Sequence, residues 1–159
     1  MVCRPFFLYN PRMTPQIDDR TVAYVVESQP IFEDLRQVAA QLAGLLVLSA
    51  TGAKTAAPDH PILTSAAQLF DHAADGVERL RYSVTERARP HHDDLQRAAT
   101  ALRHAMAATR LELGKPGLAA DLDAPLGPLR DAYASLQHAA SALPGFQMVA
   151  FDQGCCARS

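Results

Sequence analysis

Two short stretches carry the side chains best suited to chemistry. The first is Cys155-Cys156, side by side after Gly154. Adjacent thiols, once deprotonated, hold a soft metal, react with an oxidant or exchange with a partner disulfide. Bonding the two to each other is strained. Neighbouring Cα atoms lie about 3.8 Å apart, whereas disulfides usually span roughly 4.4–6.8 Å. Two ligands do not complete a metal site either, and Cys3 joins them only if the two ends of the chain meet. The plain alternative is two small residues in a terminal segment.

The second stretch is His91-His92-Asp93-Asp94. Imidazole and carboxylate are the right donors for Zn²⁺ or another divalent ion. Residues one or two apart do not share a helix face, however. The acids also suit the positive end of a helix dipole with no metal present. Cys155, Cys156, His91 and His92 are therefore the candidate metal ligands, and a thiolate-bound metal is the candidate cofactor.

Other chemistries find less support. A ferritin-like di-metal bundle needs inward carboxylates and Glu-x-x-His pairs, and no Glu-x-x-His occurs. Asp71, Asp75 and Glu78 cluster, but Asp75 falls outside the apolar stripe of its segment. His72, His104 and His138 each lie two residues past a stripe position, about 200° around a helix, which predicts an outer face. None has the Lys and Gly neighbours of a phosphoryl relay. No Gly-x-Ser-x-Gly elbow supports acyl transfer. Seven arginines between Arg79 and Arg110 point in several directions and mix with Glu86, Asp93 and Asp94, with only Tyr82 to stack on a base. The net charge of −2 gives no global pull toward polyanions, so neither nucleic acid nor a membrane surface is an expected partner.

These residues must be positioned by helices. Leu63, Ala66, Phe70, Ala73, Val77, Leu80 and Val84 follow a 3-4-3-4-3-4 spacing, one helical stripe. Leu95, Ala98, Leu102, Ala105 and Thr109 repeat it, widened by Ala99, Met106 and Leu113. Pro90 separates the two runs and suits a helix start better than a helix interior. The spacing predicts helices over 61–89 and from about Pro90 to Leu113, folded back on each other. Gly114, Pro116 and Gly117 stop the second.

On either side the pattern is also helical. Thr14-Pro15 reads as a helix start, although Thr21 to Val26 favours a strand by composition; a short helix to about Glu27 is expected. Pro30 opens another helix, with Ile31, Leu35, Val38, Leu42, Leu45 and Ser49 as its stripe. Beyond Val38 it is apolar on nearly every side, so it should run through the middle of the assembly or face a second copy. Gly52 ends it. A last helix, Pro125 to Leu143, carries Leu126, Leu129, Tyr133, Leu136, Ala140 and Leu143, and Pro144-Gly145 closes it. Phe146 to Phe151 is apolar and should dock on the bundle or pair with the N-terminal segment.

With 159 residues and 48% hydrophobic content the chain is long and apolar enough for one domain with a proper core. Aromatics make up only 6%, so Ala, Leu and Val must build it. The expectation is an all-α, four- to five-helix up-and-down bundle over 1–159, with an irregular N-terminal arm (1–13) and an extended hydrophobic C-terminal tail (146–159). An odd cysteine count, no visible signal core and no apolar run near ~20 residues point to a cytoplasmic protein. The function expected is a non-enzymatic interaction or regulatory module, a homodimer with a possible protein partner. The alternatives are a thiol or metal-binding protein working through Cys155 and Cys156, and a small apolar ligand held between helices near Phe70, Met106 and Tyr133.

Overall fold

The computed structural model describes residues 18–51, 58–115 and 121–148. These form four helices: α1 (Asp19–Ala50), α2 (Pro61–Leu80), α3 (Arg89–Leu113) and α4 (Asp123–Ala142). No strand occurs among the described residues, and the class is all-α. The arm 1–13, the linker 52–57 and most of the C-terminal tail, including Cys155 and Cys156, lie outside them.

α1 packs along α2 and α3 along α4, and these are the two most extensive contacts. α1 also meets α3 and α4, α2 meets α3, and α2 and α4 make no close approach. The intimate pairs are therefore not the expected α2–α3 hairpin. That hairpin does not close because α2 stops at Leu80. The Ser83 amide and hydroxyl both bond back to the Leu80 carbonyl (2.9 and 3.1 Å). Short hydroxyl and β-branched side chains such as Ser83, Val84 and Thr85 compete with helix in this way. Thr85 then opens the turn that leads into α3, accepting from the Ala88 amide through its carbonyl (3.0 Å) and its hydroxyl (3.3 Å).

The stripes fill the core as their spacing requires. Leu63, Ala66, Phe70, Ala73, Val77 and Leu80 are buried, as are Leu95, Ala98, Leu102, Ala105 and Thr109. Ala132 and Ala139 of α4 join Leu129 and Leu136 there. Small residues let the axes come close. Gly76 is the extreme case: a Cβ there would sit 2.8 Å from the Ile31 side chain.

One expectation for α1 is overturned. It is one helix of 32 residues, not two, and Pro30 lies inside it. Proline removes one backbone bond and crowds the preceding turn. Here Tyr24, Ser28, Ile31 and Phe32 are buried on both sides of Pro30, and that packing holds the helix together. The same burial overrides the strand preference of Thr21 to Val26. Asp18 caps the helix, its carboxylate accepting from the Thr21 amide and hydroxyl, both at 2.8 Å. Within one chain the apolar half of α1 is not buried all round, so of its two expected placements the middle of the bundle does not apply. Leu42, Leu45 and Leu46 face the core, while Ala40, Ala43, Gly44, Val47 and Leu48 face outward.

Candidate functional site

His91 sits in the first turn of α3, with no exposed surface. Its Nδ1 lies 3.0 Å from the Tyr24 hydroxyl of α1. The Tyr24 ring meets it edge-on at 5.6 Å and 89°. Phe146, on the strand-like strap after α4, stacks at 4.2 Å from the imidazole and 5.2 Å from Phe32. Gly145 aims that strap: its φ of +99° is open to glycine and strained for other residues. Sequence spacing gives no hint of this convergence, since two helices and the strap meet through residues 24, 32, 91 and 146.

The electrostatics of this cluster favour neutral groups. Burial pushes His91 down to about 4, with neighbouring His92 adding to the effect. Burial also raises the Tyr24 hydroxyl above its ordinary value, and Asp93 reinforces it. His92 is lowered by burial, against the opposing pull of Asp93 and Glu78. A proton shuttle needs a pKa near the working pH and access to a substrate. A neutral imidazole bonded to a neutral phenol among two phenylalanines has neither. Its chemistry is that of a hydrogen-bonded core pair.

Of the metal candidates, His91 and His92 are within the described residues and point apart. The Nδ1 of His91 faces Tyr24, and His92 projects elsewhere, its own Nδ1 buried without a partner. Asp94 is buried and pairs with Arg97 at 2.8 Å. Among the described residues no three His, Cys, Asp or Glu side chains gather as a metal cluster. Cys155 and Cys156 lie outside those residues. His72, His104 and His138 are exposed, and His72 lies 3.1 Å from Asp34.

A second region has the shape of a binding surface. Between α1 and α4 runs a groove of about 710 Å³. Its floor is Ala39, Ala40 and Ala43 of α1 with Leu129 and Leu136 of α4. Tyr133 and Met148 form its walls, and Arg36 and Arg130 stand at its rim. Of the expected ligand-pocket residues, only Tyr133 lies here; Phe70 and Met106 are buried in the core. A hollow of about 570 Å³ between α3 and α4 is charged and open, lined by Asp93, Arg97, His104 and Asp131 among others.

The groove continues onto the outer face of α1. From Gln37 to Thr51 that helix carries no charged residue. Val47 is 63% exposed and Val26, on the same side nearer the start, 66%. Sequence reading found the C-terminal half of this face, as a helix apolar on nearly every side beyond Val38, but missed its continuation to Val22 and Val26 because it divided the helix at Pro30. The signal was present as an uncharged run too long for a solvated surface.

No protein-family model, curated protein or solved structure matches this chain. No helix among the described residues is long and apolar enough to cross a membrane.

Proposed function

We propose that this protein is a non-enzymatic helical interaction module that works as a pair of identical copies, with the outer face of α1 and its groove beside α4 as the docking surface. One observation carries the reading: a surface helix with an uncharged, largely apolar exposed face from Gln37 to Thr51. A helix that faces only water normally presents charged and polar residues on that side. Contiguous exposed apolar surface marks a contact with a partner. The small residues Ala40, Ala43 and Gly44 allow a second helix to approach closely.

Analytical ultracentrifugation at micromolar concentration tests this. The expected result is a dimer that Ala43→Glu with Val47→Glu converts to a monomer of unchanged helicity. A wild-type protein that stays monomeric at 100 micromolar, on the order of the weakest useful self-association, would sink the reading.

A second reading rests on the same groove. Its volume and apolar lining fall within the range of small-molecule sites, and the Arg36 and Arg130 guanidiniums suit an anionic head group on an apolar body. Native mass spectrometry of the untagged protein separates the two, since a bound ligand adds mass to the protein. The thiol reading rests on Cys155 and Cys156 in the sequence alone. It requires that Cys155→Ser with Cys156→Ser abolish metal uptake or fast alkylation.

A further inference from the structure

The outer face of α1 is more than apolar. Val22, Val26, Gln29, Glu33, Arg36, Ala40, Ala43 and Val47 follow one another at spacings of 4, 3, 4, 3, 4, 3 and 4. That is the 3.5-residue repeat of a coiled-coil seam, on the side of α1 that the other three helices leave uncovered. Seven of these residues are exposed and Glu33 is half-buried. The core of the molecule uses the opposite side of the same helix, through Leu35, Val38, Leu42 and Leu45. α1 therefore carries two stripes, and only one is occupied within the chain.

The outer stripe is also arranged symmetrically. Its charged residues, Glu33 and Arg36, stand at the centre, with apolar residues at both ends. We propose that two copies pair through α1, antiparallel, about a two-fold axis passing between Glu33 and Arg36. In that register Glu33 faces the second copy's Arg36, and Arg36 faces its Glu33. Moving outward, Gln29 faces Ala40, Val26 faces Ala43 and Val22 faces Val47, each pairing occurring twice. A two-fold contact requires a self-complementary surface, and this stripe meets the condition in charge as well as polarity. A parallel pairing would set Glu33 on Glu33 and Arg36 on Arg36, which like-charge repulsion disfavours. Within one chain Glu33 and Arg36 already bond each other, with Arg36 Nε 2.8 Å from the Glu33 carboxylate. Pairing exchanges those contacts for intermolecular ones, so the charges set register while the valines and alanines supply the burial. The contact runs from Val22 to Val47, about 37 Å along the axis. The small residues Ala40 and Ala43 lie opposite larger side chains, as interdigitation requires.

This inference rests on the homodimer reading and adds its geometry. The test uses the full-length protein and three charge variants: E33R, R36E and the double E33R/R36E. Circular dichroism checks that each is folded, and sedimentation and native mass spectrometry read the species. Each single variant places like charges at the axis and should weaken self-association by about tenfold or more. The double variant exchanges the signs and should return to wild-type affinity. Mixing the two single variants should give heterodimers in preference to either homodimer, because a chain with two arginines then faces one with two glutamates. If the wild type dimerises but the mixture stays statistical, or the double variant stays weak, the register is wrong and the dimer reading survives. A monomeric wild type removes both.

Discussion

The buried end around His91 and the outer face of α1 invert what their compositions suggest. The first gathers a histidine, a tyrosine and two phenylalanines, the raw material of an active site, and folds them into a dry, neutral plug. The second is mostly valine, alanine and glycine around a Glu33–Arg36 pair, and is left in solvent. Reactive residue types tell little until their access is known. Burial has lowered His91 to about 4 and raised Tyr24, which keeps both neutral at neutral pH. Exposure makes Val26, Ala43 and Val47 informative, because water gives no reason for them to be there.

The contrast can be broken most directly by truncation. Phe146→Ala removes a nearly buried ring packed on His91 and Phe32. It should cost about 3–5 kcal/mol of stability, in the range of buried aromatic truncations. Val26→Ala, at the exposed face, should change the stability of a single copy by less than about 0.5 kcal/mol. Urea denaturation at a protein concentration low enough to keep the copies apart measures both. Comparable losses would mean that the two regions are not distinct in kind.

Titration sharpens the same contrast. The folded pKa of His91 is about 4 against an ordinary value of 6.5, so the unfolded chain binds its proton more readily. Its contribution to stability is complete above pH 6.5 and is lost as pH falls from there through 4. The full difference is about 3 kcal/mol. His92 is lowered too and acts in the same direction. The lowered carboxyls of Asp18 and Glu112 lose their contributions only at still more acid pH, below their ordinary values of 3.8 and 4.5. Thermal melts between pH 4 and 7 should therefore show stability rising with pH. A protein carrying both His91→Phe and Tyr24→Phe should show a much flatter profile. An unchanged slope would mean that His91 is not the group responsible.

The unequal legibility of the chain has physical reasons. The 3-4 stripes of α2 and α3 were readable because every residue from Leu63 to Leu80, and from Leu95 to Thr109, reports on the same burial. The all-α class follows from them. The long α1 was not readable, because Pro30 is a strong local stop signal and only tertiary packing around Tyr24, Ile31 and Phe32 overrides it. The choice of partners failed for a related reason. Pro90 suggests a tight reversal, but the helix before it had already ended at Leu80, and α3 turned its stripe mainly to α4. The end of the bundle around His91 is built from contacts between residues 24 and 91 and between 91 and 146, separations at which periodicity carries no information. His91 and His92 were visible as donors, whereas the burial that disarms them was not. The full length of the exposed apolar face was hidden by the same proline, since dividing α1 there separates Val22 and Val26 from Ala43 and Val47.

The smallest effect tests whether the buried pair is structural at the level of one hydrogen bond. Tyr24→Phe keeps the ring and deletes the hydroxyl that lies 3.0 Å from His91 Nδ1. The imidazole would then be left buried with both nitrogens unpaired, since Nε2 already has no partner. Leaving a buried polar atom unsatisfied should cost about 1–2 kcal/mol. Replacing His91 by Phe in the same chain removes the orphaned group, and part of that loss should return, because two apolar rings of similar shape can replace a buried polar pair at little net cost. A double-mutant cycle on urea midpoints reads the coupling. A value near zero would show that the hydroxyl and imidazole are neighbours without being partners, and the His91 cluster would then have to be regarded as a site held open for some other ligand. A coupling of about 1 kcal/mol or more would fix Tyr24 and His91 as mutual partners in the core, and would leave the outer face of α1 as the part of this bundle with work still to do.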